Sequence, residues 1–460
     1  MRLWIIPLLA ALSAPAADLR VGAAAVKITP PKGAPMAGYY YNRAADGVHD
    51  DLYAKALVLA SSGEKAALVA CDLSGIPRNI IDEARKLIEA STGIAGGQVM
   101  ISATHTHTGP VVLGGPNRYI MPGEMLEIAQ RYAADLPARI AESVRLANAG
   151  LKPARAFAAT GQEPSLTFNR RYYMKDGTVG WNPGKLNPNI VRPAGPIDPA
   201  VPVVYFEASD NKPIATYVNY ALHLDTVGGM EYSADYAYTL ARLLGEAKGK
   251  DMLTVFTIGC AGNLNHIDVS TRAPQQGHGE AARIGTILAG EVLKTMKRLQ
   301  AVEGGALRVR SQMLHLPLPE IRPGDLELSR KVTATFGQPN AAPFMDLVRA
   351  FKIQDVAERR GEPLEAEVQV ITVGSQLCWV GLPGEIFTEL GMAIKNASPF
   401  QYTNIAELAN GSIGYVPNRK AYPEGAYESE SARCGAGSGE MLVDAATRLL
   451  VALRNEKAAN

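Results

Sequence analysis

The segment Val99-Met-Ile-Ser-Ala-Thr-His105-Thr-His107-Thr-Gly-Pro110 joins an apolar run to two histidines. The apolar and β-branched residues predict a strand, and the Gly-Pro pair predicts a break after it. Because side chains alternate along a strand, His105 and His107 are expected on one face. Two imidazoles on one face at a strand's end indicate a metal site or an acid–base pair. A His-x-His pattern alone does not distinguish the two, so the rest of the chain must supply the partners.

Three further predicted strands also lead into polar side chains. They are residues 214–222 before His223, residues 253–258 before Asn263 and residues 377–380 before Glu385. Helical periodicity is found between the strands, over residues 79–90, 124–148, 235–246, 281–299, 386–395 and 440–454. This alternation predicts a layered α/β fold with a mixed β-sheet and flanking helices. Catalytic groups of such folds cluster on loops beyond strand ends, so we expect the active site there.

The composition is that of a globular protein, with 460 residues, 47% hydrophobic and 20% charged, and a net charge of +1. This near-neutral charge argues against nucleic acid as a partner, because phosphate binding needs an excess of basic surface. It also provides no electrostatic attraction to an anionic membrane. The four cysteines form no CxxC pattern and are interpreted as small buried side chains without an assigned disulfide.

The N-terminus has the pattern of a secretory signal peptide. Met1-Arg2 is a positive start, Leu3 to Leu12 is apolar, and Ala14-Pro-Ala16 supplies small residues before a cleavage point. We therefore predict a signal peptide over residues 1–17 and a secreted or periplasmic mature protein. The apolar run is too short to span a bilayer, and no other run of about 18 apolar residues predicts a transmembrane segment.

Residues 18–460 are predicted to form a single catalytic domain. Within it, residues 300–365 differ from the rest because they combine Pro-rich turns with two charged helical stretches. We interpret them as an elaboration on the core. The sequence carries no signal for an oligomeric state.

His105, His223 and Glu385 match the two-histidine, one-carboxylate ligand set of zinc hydrolases. Such a set leaves one position for water, whose pKa zinc lowers to about 7. His107 would then carry protons beside the metal, since an unperturbed imidazole has a pKa of about 6.5. Arg170 could bind a substrate oxygen or carboxylate through its planar guanidinium.

Simpler explanations are open for the same residues. His223 with Asp225 fits a hydrogen-bonded pair, and Glu385 fits an acidic residue stabilised by a helix dipole. The Gly262-Asn263 turn could direct backbone N–H groups at an oxyanion, although such a turn is not specific. The remaining histidines are interpreted as non-ligands: His49, His266, His278 and His315.

Several short motifs, taken in order, resemble the neutral/alkaline (non-lysosomal) ceramidases, which are zinc amidases that hydrolyse the N-acyl bond of ceramide. The most specific is His-Thr-His-Thr-Gly-Pro at residues 105–110. The others are Gly47-Val-His49, Asn169-Arg170, His223, Ala261-Gly-Asn-Leu264, Pro383-Gly-Glu385 and Gly414-Tyr415-Val. Together they extend through most of the predicted mature chain.

The resemblance implies an exported, zinc-dependent hydrolase of an N-acyl bond that uses metal-activated water on a small-molecule or lipid substrate. The implied zinc ligands are His105, His223, Glu385 and Tyr415. The implied catalytic and substrate-binding residues are His107, Arg170, Tyr415 and Tyr427. A tyrosine ligand does not follow from spacing, because the usual zinc set is His, Cys and carboxylate. The alternative for Tyr415 is a core tyrosine in a Gly-rich turn.

The chain departs from the family pattern at three places. Asn265-His266-Ile267 replaces Ser-Pro-Asn, which excludes a serine nucleophile there and favours metal-activated water. Three consecutive tyrosines occupy residues 39–41, near the position where the family has a small hydroxyl residue. The C-terminal immunoglobulin-like domain of the long ceramidases is not expected. These departures leave two alternatives: a zinc hydrolase of a soluble amide or ester, and a non-catalytic, zinc-stabilised binding protein.

Overall fold

The computed structural model describes residues 19–114, 121, 123–338 and 340–456, so the predicted signal peptide lies outside the described residues. The strands are β1 (Arg20–Lys27), β2 (Gly47–Val48), β3 (Tyr53–Ser61), β4 (Glu64–Cys71), β5 (Val99–Ala103), β6 (Lys152–Gln162), β7 (Phe168–Asn169), β8 (Arg171–Met174), β9 (Val179–Trp181), β10 (Ile190–Pro193), β11 (Ala200–Ala208), β12 (Pro213–Tyr220), β13 (Glu231–Tyr232), β14 (Leu253–Ile258), β15 (Leu264–Asn265), β16 (Gln300–Ala301), β17 (Leu307–Leu316), β18 (Leu364–Val373), β19 (Leu377–Gly381), β20 (Glu385–Ile386), β21 (Tyr402–Ala406) and β22 (Tyr415–Val416).

The helices are α1 (Arg78–Thr92), α2 (Gly123–Ala149), α3 (Tyr236–Lys248), α4 (His278–Thr295), α5 (Asp325–Thr333), α6 (Phe344–Glu358), α7 (Thr388–Ala397), α8 (Ala421–Glu424), α9 (Ala426–Ser431) and α10 (Ser438–Asn455). Short 3-10 turns cover Gly96–Gln98 and Met296–Arg298. Within the described ranges, no helix is both long and apolar enough to cross a bilayer. All four cysteines are buried as free thiols.

A nine-stranded mixed sheet forms the centre of the molecule, in the order β14-β12-β11-β6-β1-β3-β4-β5 with β16 added beside β6. The β4–β5 and β12–β14 pairs are parallel, and the pairs between them are antiparallel. A second sheet has the order β17-β18-β19-β21. The predicted mixed-sheet α/β architecture is confirmed.

Strand β3 shows why the two sheets lie face to face. Its residues are apolar almost throughout, as expected for a strand that is buried on both faces. Ala56 and Val58 pack into the cluster under α1 and α2, whereas Leu57 and Leu59 pack against Trp379 of the second sheet. Helices α3 and α4 cover the other half of the central sheet, and α7 and α10 cover the outer face of the second sheet. The layers are therefore helix, sheet, sheet and helix.

The polar side chains expected beyond strand ends lie there. His105 follows β5, His223 follows β12, Asn263 follows β14 and Glu385 follows β19. One detail of the expectation is wrong: β5 ends at Ala103, before the histidine pair. His105 has a positive φ of 73°, so strand alternation does not orient the two rings. They converge because the chain turns at His105.

Candidate metal centre and its pocket

His105, His223 and Glu385 meet beside a pocket that His105 and Glu385 line. Nε2 of His105 and Nε2 of His223 each lie 3.3 Å from Oε2 of Glu385. Both histidines are buried, and only 13% of the Glu385 side chain is exposed. These three side chains come from loops more than 100 residues apart and form one compact group of N and O donors.

Backbone carbonyls orient both imidazoles. Nδ1 of His105 lies 2.7 Å from the carbonyl oxygen of Ser74, and Nδ1 of His223 lies 2.9 Å from that of Ala261. A carbonyl can only accept, so each Nδ1 carries the proton and donates. The lone pair of each Nε2 therefore points toward Glu385, which is the tautomer that a metal ligand requires.

The spacing of these atoms fits a metal ion. In a tetrahedral zinc site with bonds of about 2.0–2.1 Å, neighbouring ligand atoms are separated by roughly 3.3 Å. Among the described residues, Oε2 of Glu385 has no hydrogen-bond partner of good geometry although it is buried. Burial opposes ionisation, but positive charge on the neighbouring imidazoles, His105 first, holds the pKa of the Glu385 carboxyl well below its usual range, and a cation bound to the Nε2 lone pairs would supply positive charge in the same place. The group is thus a buried carboxylate facing two nitrogen lone pairs.

His107 adds a third ring to the same group. Its Nε2 lies 3.3 Å from Nε2 of His105. The ligand nitrogens of His105, His107 and His223 all lie within 4.8 Å of one another, so these three histidines can also hold a metal. Burial, and then the adjacent His105, lowers the pKa of His107 to about 3, so its ring is neutral at pH 7. There are therefore two candidate ligand sets. Both contain His105 and His223, and the third member is Glu385 in one set and His107 in the other.

Tyr415 joins the centre through a strand pairing that the sequence did not reveal. The short strands β20 and β22 run parallel and place Tyr415 opposite Glu385. The Tyr415 hydroxyl interacts with the Glu385 carboxylate and with the Arg170 guanidinium. Burial raises the pKa of this tyrosine well above its usual range, and the Glu385 charge adds to the effect.

Arg170 is held beside the centre by buried partners. Its Nε donates to Glu428 at 2.7 Å, and its Nη2 donates to the Gly262 carbonyl at 2.8 Å. Glu428 is fully buried and also accepts from Nη1 of Arg171 at 3.0 Å. Sequence reasoning missed Glu428, which lies 258 positions from Arg170 and has no local signal.

The pocket above the centre has a volume of about 400 Å³. His105, His107, Glu385 and Tyr415 lie at its floor, and Tyr427 and the tyrosines of residues 39–41 are among its walls. The Tyr39 ring meets His107 edge-on, with the ring centroids 5.7 Å apart. The three consecutive tyrosines therefore narrow the approach to the histidines.

The aromatic wall continues behind Tyr427. The Trp181 ring centroid lies 4.6 Å from that of Tyr427, and Phe344 of α6 lies 5.6 Å from the same ring. Phe344 also contacts Tyr40 at 5.3 Å. Helix α6, which belongs to the segment interpreted as an elaboration, thus supports two residues of the pocket wall.

The other histidines lie outside the centre. Asp225 pairs with His266 at 3.0 Å, so the interpretation of Asp225 as the partner of His223 is wrong. The second nitrogen of His266 lies 2.7 Å from the Gln275 carbonyl. His49 stacks on His278 with a 3.7 Å centroid separation, and His315 is an exposed residue of β17.

The Gly262-Asn263 turn is hydrogen-bonded to the segment that follows Glu385. The Gly262 N–H donates to the Ile386 carbonyl at 2.9 Å and is therefore not directed at an oxyanion, contrary to the sequence interpretation. The Asn263 side chain donates to Glu389 at 2.8 Å and accepts from the Thr388 N–H at 2.9 Å. The turn therefore links the loop after β14 to the loop that carries Glu385.

No protein-family model and no curated protein matches the sequence. Solved structures do match. Neutral ceramidase from Pseudomonas aeruginosa superposes with a TM-score of 0.72 at 20% identity, covering 96% of this chain and 76% of that one. A ceramidase complexed with C2 gives a TM-score of 0.71 at 19% identity, covering 96% and 77%. The resemblance predicted from the motifs is thus confirmed in three dimensions, and the chain has the neutral ceramidase fold.

Proposed function

We propose that this chain is a zinc-dependent amidohydrolase that cleaves the N-acyl bond of a ceramide-like lipid. The observation that carries the proposal is the 3.3 Å spacing of the His105, His223 and Glu385 donor atoms beside a pocket. The shared fold with proteins named ceramidase supports the choice of an N-acyl lipid as substrate.

The proposed ligands are His105, His223, Glu385 and Tyr415. When bound, zinc would supply a water molecule of lowered pKa and would polarise the substrate carbonyl. Glu385 takes the ligand position in this proposal because Oε2 lies at ligand spacing from both imidazoles. Tyr415, paired opposite Glu385, lies at the same end of the pocket.

The chain's own residues would position the substrate and move the proton. In the hydrolysis, water oxygen bonds to the acyl carbon, the carbon–nitrogen bond breaks, and a proton passes to the departing amine. His107 is the proposed carrier because its ring lines the pocket with Nε2 3.3 Å from Nε2 of His105. Arg170 and Tyr415 would stabilise the negative charge that develops on the carbonyl oxygen. Tyr427 would contact the substrate from the wall.

We also propose that the protein is exported and that residues 18–460 act as one catalytic unit. The N-terminal charge and apolar run of residues 1–17 support export. Packing of Phe344 against Tyr40 and Tyr427 supports one unit, because it joins residues 300–365 to the pocket wall.

A soluble N-acyl amide is the second candidate substrate. It is favoured by the polar groups that line the pocket beside its apolar residues, namely the tyrosines of residues 39–41, Asn42, Ser74, Ser412 and Arg433. Aromatic hydroxyls and a guanidinium suit a polar head group better than a second aliphatic chain.

The test uses the chain from residue 18, with metal content measured by mass spectrometry and turnover measured on N-acylsphingosine and on N-acylglucosamine. We expect one zinc per chain and faster turnover of the sphingosine amide. Faster turnover of the amino sugar would favour the soluble substrate. Absence of zinc from the wild type, or full zinc in a His105→Ala, His223→Ala double variant, would contradict the site. Zinc binding without turnover of any acyl substrate would favour a binding protein.

A further inference from the structure

Glu407 is a buried acid that the proposed reaction does not use. It follows strand β21 and is completely buried. Its Oε2 accepts the backbone N–H of Ile386 at 2.7 Å and the backbone N–H of Ala261 at 3.2 Å. One carboxyl oxygen therefore connects two separate loops.

One connected loop carries the proposed ligand Glu385, and the other orients the proposed ligand His223 through a backbone carbonyl. Ile386 directly follows Glu385, and the Ala261 carbonyl accepts the Nδ1–H of His223 at 2.9 Å. A direct backbone bond also joins these two segments, from the Gly262 N–H to the Ile386 carbonyl at 2.9 Å. The Glu407 carboxyl adds a second connection, because one oxygen accepts a backbone N–H from each segment.

We propose that Glu407 is a positioning residue for the metal centre, which sets the distance between the His223 and Glu385 donor atoms by joining the loop that carries Glu385 to the loop whose Ala261 carbonyl orients His223. The inference rests on the proposed metal site. Residues that do not bind the metal but hold its ligands in position typically contribute about 10- to 100-fold to metal affinity. Loss of the carboxyl would leave two buried N–H groups without an acceptor and would free the two loops to separate.

The environment of Glu407 predicts that it acts as a neutral acceptor. Burial, and then the nearby Glu385 charge, raises the pKa of Glu407 well above its usual range. Among the described residues, its second oxygen, Oε1, has no hydrogen-bond partner. A glutamine keeps the accepting oxygen, the length and the absence of charge, so Glu407→Gln is the conservative variant.

The experiment measures zinc affinity by chelator competition on metal-free protein, with circular dichroism as the check of folding. Glu407→Ala is expected to bind zinc about 10- to 100-fold more weakly than the wild type, and Glu407→Gln within about threefold of it. The matched control is Asn404→Ala, which removes another fully buried polar side chain of β21, one that donates to the Cys378 carbonyl. It should bind zinc within about threefold of the wild type.

Three results would overturn the inference: Glu407→Ala binding within threefold of the wild type, equal weakening by Asn404→Ala, or equal weakening by Glu407→Gln. If Glu407→Ala does not fold, Glu407→Asp replaces it, because a side chain shorter by one methylene cannot reach both N–H groups. Wild-type affinity in a folded Glu407→Asp variant would overturn the inference as well. A wild type that binds no zinc would instead contradict the proposed function.

Discussion

Gly262 lies against the backbone of Glu385 so closely that a Cβ atom on Gly262 would stand 2.5 Å from the Glu385 carbonyl oxygen. Position 262, in the turn after β14, therefore has to be glycine so that the loop that carries Glu385 can approach. Close packing therefore explains why residue 262 of the Gly262-Asn263 turn is glycine. The sequence had instead indicated a role in binding an oxyanion.

Gly262→Ala should disrupt the metal centre without unfolding the protein. Overpacking of this kind costs about 1–3 kcal/mol and has to be relieved by moving one of the two loops. We expect zinc affinity and amidase activity to fall about tenfold or more, measured by chelator competition and turnover. Gly245→Ala in α3 is the control, since no atom lies within 4 Å of its added Cβ. Wild-type zinc affinity in Gly262→Ala would contradict the prediction.

The two possible ligand sets predict opposite results for Glu385 and His107. If Glu385 is the ligand and His107 the proton carrier, His107→Ala keeps stoichiometric zinc and loses about 100-fold or more in kcat. Glu385→Ala then loses zinc. If the three histidines hold the metal, His107→Ala loses zinc and Glu385→Ala keeps it. Metal analysis of the two purified variants, with turnover measured in parallel, distinguishes the sets.

Glu428 should be essential for stability because it is the buried partner of two arginines. Glu428→Ala leaves Arg170 and Arg171 without their shared carboxylate, and breaking such a buried pair costs about 3–5 kcal/mol. Urea unfolding followed by tryptophan fluorescence measures the loss. Glu430→Ala is the control, because its partner Arg349 is 48% exposed and such a pair contributes about 1 kcal/mol or less. Equal effects of the two substitutions would contradict the assignment.

Asp235 should make stability depend on pH. Burial raises its pKa to about 6, although it accepts the N–H groups of Val227 and Tyr236 and faces His266 and Asp225. Because the folded state then binds a proton more tightly than the unfolded chain, this stabilisation is complete below about pH 4 and is lost as pH rises through about 6.

The comparison of the wild type with Asp235→Asn isolates that dependence. The wild type should lose up to about 3 kcal/mol of unfolding free energy relative to Asp235→Asn between pH 4 and pH 7. Urea unfolding at one-unit steps of pH measures the difference. The amide also loses one backbone acceptor, but that cost is the same at every pH. A constant difference across the range would refute a raised Asp235 pKa.

Sequence reasoning succeeded where the signal was local. Strands β12 and β14 and helices α1 and α3 were predicted within two or three residues of their observed ends, because hydrophobic period and turn residues are properties of short segments. It failed at His105, where the positive φ that turns the ring into the pocket leaves no trace in the residue types around it.

The sequence by itself determined that this chain forms alternating strands and helices and that polar side chains follow four of its strands. The ligand chemistry of zinc hydrolases then selected His105, His223 and Glu385 among them, and the resemblance to one family added Tyr415. Only the tertiary structure decided which atoms meet, such as Tyr415 opposite Glu385, Asp225 with His266, and Glu407 with the N–H groups of Ile386 and Ala261. The physical reason is that periodicity acts within a segment, whereas these contacts depend on the packing of segments far apart in the chain.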